Sequence, residues 1–85
     1  MRFALSKDIE NIEMDDVITL FEPETGDTHI IDEVGKEVLD LCAKMDVEDA
    51  IRRLAEIYDE TEEVIGEDVL DFLNELAAKG LAKIE

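Results

Sequence analysis

Residues 25–35, Thr-Gly-Asp-Thr-His-Ile-Ile-Asp-Glu-Val-Gly, run from a turn through a short strand into a helix start with no linker between them. Gly26-Asp27 is turn chemistry, Thr28-His29-Ile30-Ile31 is extended in character, and Asp32 is a helix N-cap residue. A strand that gives way at once to a helix is expected near the border of a very small sheet. A border strand carries unpaired backbone groups, which another peptide can pair with.

The segments on either side complete the pattern. Val17-Ile18-Thr19-Leu20-Phe21 is β-branched and aromatic, and Glu22 to Asp27 closes it as a turn. Upstream, Asn11-Ile12-Glu13-Met14 alternates polar and apolar, and Asp15-Asp16 forms a tight turn. Three strands in an antiparallel meander are therefore expected, with the Thr28–Ile31 strand as an edge. Phe3 and Leu5 mark another extended piece whose place the pattern does not fix.

Beyond Asp32 the chain reads as three helices. Asp32 caps the first, with Val34, Val38, Leu41 and Cys42 on one stripe, and Gly35 weakens its first turn. Asp46 caps the second, where Val47, Ala50, Ile51, Leu54, Ile57 and Tyr58 recur at helical spacing. Thr61 caps the third, which carries Val64, Ile65, Val69, Phe72, Leu73, Leu76 and Ala77. Gly80 stops it, Leu81 folds back on its end, and Leu81–Ile84 suits a short terminal strand. The expected class is α+β, a winged helix-turn-helix-like arrangement of a three-stranded antiparallel meander followed by three helices. Residues 1–85 are expected to make a single domain.

Charge narrows the partners. The formal net charge is −17, and residues 8–33 hold ten acids without a Lys or Arg. That field repels phosphate backbones and attracts basic peptide or protein surfaces. The third helix, which would serve as a recognition helix, has acids throughout and no base before Lys79, so nucleic acid is not an expected partner. No secretory signal or membrane-spanning run is visible, and the single cysteine, Cys42, forms no internal disulfide. A cytoplasmic location is expected.

Chemistry is thinly signalled. One His, one Ser and one Cys are present, with nothing to bring His29 and Cys42 together as a nucleophile pair. The carboxylates fall on solvated helix faces. They lack the Glu-x-x-His pairs of a di-metal site and the spacing of a calcium loop. Ser6, the only serine, lies in the extended N-terminal part, where a carrier arm on a helix start is not expected. Neither catalysis nor a cofactor or metal is expected.

In order and motif the chain resembles the PqqD family of small peptide chaperones, the recognition elements for ribosomally made precursor peptides. The resemblance runs from about Asn11 to Ile84. It rests on the turn–strand–helix Thr25 to Asp32 followed by Val38-Leu39-Asp40-Leu41, on Asp46-Val47-Glu48-Asp49-Ala50-Ile51, and on Val69 to Leu76 with Gly80-Leu81. Two departures are visible: Ala43-Lys44-Met45 stands where the family usually has an Asp-Gly turn, and the acid content is unusually high. The resemblance implies that a precursor's leader adds as a strand to the third strand of the meander, with side chains settling against the third helix. It implies strand contacts from Asp27, Thr28, His29, Ile30 and Ile31, and helix contacts from Val69, Phe72, Leu73 and Leu76. It also implies a modifying enzyme as recipient, in this family often a radical S-adenosylmethionine protein. The edge strand leaves either a monomer or an edge-strand dimer. The alternative on fold grounds is a winged-helix-type adaptor or regulatory domain that binds protein.

Overall fold

The computed structural model covers residues 1–85. In chain order it contains β1 (Phe3–Leu5), β2 (Glu10–Met14), β3 (Val17–Phe21) and β4 (Thr28–Ile31). Helices α1 (Glu33–Lys44), α2 (Val47–Tyr58) and α3 (Glu62–Ala78) follow, and β5 (Ala82–Ile84) ends the chain. The α+β class and the strand-then-helix order match the sequence expectation.

Strands β2, β3 and β4 form the antiparallel meander with β3 in the middle. The tight turn at Asp15-Asp16 works because Asp15 adopts a left-handed backbone, φ 55°, which a short polar side chain tolerates. Along β3 the side chains alternate: Ile18 and Leu20 are buried, while Val17 points outward and is exposed. Helix α1 packs on the Ile18–Leu20 face.

Caps define the helices. Asp32 Oδ1 accepts the Gly35 N–H at 2.9 Å and fixes the start of α1 immediately after β4. The buried stripe of α1 is Gly35, Val38, Leu39 and Cys42. It is rotated from the expected one, and Val34 is 55% exposed. The rotation follows from Gly35, which faces Ile31 and Phe72 at a separation only a residue without a side chain permits. Asp46 occupies the N-cap of α2, but its carboxylate turns to Arg2 at 3.3 Å and makes no capping bond. The first helical N–H, of Val47, is satisfied instead by the Met1 carbonyl at 2.9 Å. In α3, Thr61 Oγ1 accepts from the Val64 N–H at 3.2 Å. Gly80 ends that helix with φ 77°, the Leu81 N–H returns to the Leu76 carbonyl at 3.0 Å, and Leu81 is fully buried.

The unplaced N-terminal piece pairs with the terminal strand. Phe3, Ala4 and Leu5 lie opposite Ile84, Lys83 and Ala82 in a separate two-stranded ribbon. Phe3 enters the core there, beside Leu81 and Ala82 in the same cluster. The core is wholly apolar, with Leu20, Leu54, Leu73 and Leu81 its largest fully buried side chains. No helix is long and apolar enough to cross a membrane.

Candidate functional site

Strand β4 pairs on one side only, with β3. The phase of its backbone follows from the turn. The Glu22 N–H donates to the Asp27 carbonyl at 2.9 Å, so Glu22 and Asp27 are a hydrogen-bonded pair. Antiparallel pairs alternate between bonded and non-bonded. By register, Leu20–His29 and Ile18–Ile31 are bonded, and Phe21–Thr28 and Thr19–Ile30 are not. The N–H and C=O groups of Thr28 and Ile30 therefore face the open edge, while those of His29 and Ile31 are used by β3.

Beside this edge lies a groove of about 620 Å³. Its floor is built by Ile31, Gly35, Val38, Leu54 and Val69, and its walls include Val34, Tyr58, Ile65 and Phe72. The charged groups along it are all acids: Asp32, Glu60 and Asp68. Gly35 sets the shape of the floor. A Cβ there would lie 2.5 Å from Ile31 Cγ2 and 3.2 Å from the rim of the Phe72 ring. The Tyr58 hydroxyl donates to Glu37 at 3.1 Å. Desolvation, followed by that bond to a carboxylate, raises the Tyr58 pKa above its usual value.

The residues expected at a binding site separate into groups. Ile30, Ile31, Val69 and Phe72 come together on the groove. Leu73 and Leu76 are buried in the core and do not line it. Asp27 and Thr28 are exposed at the entry to β4. His29 is half-buried and its Nε2 lies 3.1 Å from Glu22 Oε2. Glu22 also accepts from Thr25 Oγ1 at 3.3 Å, and Thr25 Oγ1 accepts the Asp27 N–H at 3.2 Å. His29 thereby ties the turn to the strand.

Sequence reasoning missed Val34, Tyr58 and Ile65 as groove residues. Their signal was apolar side chains in excess of what a single buried stripe uses: Val34 and Tyr58 stay 55% and 41% exposed. A second hollow of about 730 Å³ lies between the β1–β5 ribbon and the β3–β4 turn, lined by charges of both signs. Cys42 is completely buried, and burial pushes its thiol pKa up. No group of three or more His, Cys, Asp or Glu side chains is placed to hold a metal ion.

Comparison with known proteins agrees with this architecture. The family model described as coenzyme PQQ synthesis protein D (PqqD) matches residues 18–82. A solved structure described as TbiB1 in complex with the TbiA(beta) leader peptide superposes with a TM-score of 0.86. The two chains are 24% identical, and the match covers 100% of this chain and 98% of that one. At that identity the likeness speaks to the fold. No curated protein matches in sequence.

Proposed function

The chain belongs to the PqqD family, and on that premise we propose that it is a non-catalytic chaperone that binds the leader of a ribosomally made precursor peptide and presents it to a modifying enzyme. The observation that carries this role is the open edge of β4. Two outward-facing backbone positions, Thr28 and Ile30, adjoin an apolar groove. An extended peptide added along that edge takes its alignment from backbone hydrogen bonds and its selectivity from alternate side chains. Half of those side chains would enter the groove between Ile31, Val34, Tyr58, Ile65 and Phe72. Supporting this, a protein of the same fold, TbiB1, has been solved with a leader peptide.

The finer assignments belong to the same proposal. Residues 1–85 act as one binding domain. Asp27 to Ile31 form the docking strand, and Val69 and Phe72 the helix side of the groove, while Leu73 and Leu76 support them from the core. The acids along the groove favour a leader with Lys or Arg among its apolar residues. The recipient is a radical S-adenosylmethionine protein, and the handover takes place in the cytoplasm. The test is titration of ¹⁵N-labelled protein with the leaders of candidate precursor peptides drawn from the genes neighbouring its own. Perturbations concentrated on Thr28, Ile30 and the groove-lining part of α3 are expected. Saturable binding that leaves β4 unperturbed would reject strand addition, and no binding at all would reject the chaperone role.

A further inference from the structure

Strand β3 is apolar on both of its faces. Its inward residues, Ile18 and Leu20, are covered by the helices, whereas of its outward residues Val17 is exposed and Thr19 and Phe21 are half-buried. Register aligns the outward face across the sheet: Met14 is opposite Val17, Ile12 opposite Thr19, Thr19 opposite Ile30, and Phe21 opposite Thr28. Ile12, Met14 and Ile30 are 53%, 70% and 74% exposed. An antiparallel sheet with one solvated face normally turns polar side chains outward. Here the outward face carries Ile12, Met14, Val17, Phe21 and Ile30, interrupted mainly by threonines.

The charge around this face selects its occupant. No Lys or Arg occurs between Lys7 and Lys36, Glu10 shares this face opposite Phe21, and Asp15 and Asp16 form the β2–β3 turn at its end. A second copy laid on the face would bring two such sets of acids together, in a molecule of net charge −17. A surface that is apolar at its centre and rimmed by Lys and Arg meets no such repulsion. The face is also continuous with the proposed docking edge, because Ile30 belongs to both. A peptide strand added to β4 would widen this sheet to four strands and send every second side chain onto the same outer face.

We propose that the outer face of the β2–β3–β4 sheet is the docking surface for the modifying enzyme, whose contact patch is apolar with a basic rim, and that a bound leader enlarges this surface. The enzyme then engages the loaded chaperone better than the empty one. The identity of the occupant rests on the chaperone role proposed above; apart from Ile30, the groove residues lie on the helix side of the sheet.

The test uses the full chain, the leader peptide that binds it and a purified candidate modifying enzyme drawn from the neighbouring genes. Two variants are compared with the parent, the double Ile12→Ser/Met14→Ser and the single Glu10→Lys, whose side chain shares the outward face with Phe21. The affected side chains are exposed, and β2 is remote from the β4 edge, so unchanged melting and unchanged leader affinity are expected. Enzyme binding, followed by interferometry with and without leader, is expected to weaken at least about tenfold in both variants, equivalent to about 1.4 kcal/mol. It is expected to tighten when leader is present. Parent-like enzyme binding by both variants overturns the proposal. So does a parent dimer, seen by sedimentation equilibrium, that the Ile12→Ser/Met14→Ser variant abolishes, since the face would then be covered by a second copy. Failure of every candidate leader to bind the parent rejects the chaperone role while leaving enzyme docking on this face measurable.

Discussion

Gly35 and Gly66 are both buried helical glycines, but they serve different ends. A Cβ on Gly66 would meet only Ile51 methyl carbons, at 3.6 and 3.7 Å, which is ordinary contact. Gly66→Ala is therefore expected to stabilise the protein by about 1 kcal/mol through helix propensity and reduced unfolded-state entropy. At Gly35 the same gain is opposed by a 2.5 Å approach to Ile31 Cγ2, the methyl of a buried β-branched side chain that has little freedom to move. Overpacking of that kind costs about 1–3 kcal/mol, so Gly35→Ala is expected to lower stability and to displace Phe72 into the groove. Chemical denaturation of the two variants in parallel checks both signs, and equal stabilisation would show that the close approach is not constraining. Cys42 allows a third test at this scale. Its thiol is fully buried and its pKa is raised above the ordinary 9.0 by desolvation. Because the folded value is the higher, its contribution to stability is complete below the unfolded pKa and declines as pH rises past it. Alkylation near neutral pH is expected to follow the opening of the native state and to be blocked while the core is closed.

At the scale of the element, β4 has two backbone phases with different consequences. Proline at position 28 or 30 removes an N–H that faces the open edge, a placement an edge strand tolerates. Proline at position 29 removes the N–H that bonds to Leu20, at a cost of about 1–3 kcal/mol for the group left unpaired. Thr28→Pro and Ile30→Pro are expected to melt near the parent while losing at least about tenfold in leader affinity, and His29→Pro to lose stability first. Calorimetric titration with thermal melting separates the outcomes, and equal effects at all three positions would reject the phase deduced from the Glu22–Asp27 bond. How legible this was differed by element. The meander, three helix caps in their expected places and the Gly80 stop were readable because each depends on residues close in sequence. The pairing of Phe3–Leu5 with Ala82–Ile84 was not, since it joins the two ends of the chain. The groove was half readable. Phe72 and Val69 lie on the third helix where they were expected, but Val34 and Tyr58 reach the groove from two other helices. Whether α1 turns Val34 or Leu39 inward depends on contacts of Gly35 that periodicity does not contain.

For the whole molecule, salt is expected to act with opposite signs on folding and on binding. The chain holds 25 acids against 8 bases. Most of its ion pairs, such as Arg2–Asp46 and Arg52–Asp49, are between exposed side chains, and pairs of that kind contribute about 0–1 kcal/mol each. Repulsion among unpaired carboxylates therefore dominates the electrostatics of the compact state, and screening it favours folding. Raising NaCl from about 0.02 M to about 0.5 M shortens the Debye length from roughly 20 Å to roughly 4 Å, and the melting temperature is expected to rise across that range. A leader or enzyme surface recognised through Lys and Arg is held by the same carboxylates. Screening weakens that attraction, so affinity is expected to fall over the range in which stability climbs. Measuring both on one sample set removes the ambiguity of either alone. Affinity lost through partial unfolding would fall together with the melting temperature, whereas affinity lost through screening falls while the melting temperature rises. A leader whose affinity ignores salt would be bound by strand pairing and apolar contact alone, and the acids of the groove, Asp32, Glu60 and Asp68, would then serve solubility and not selection.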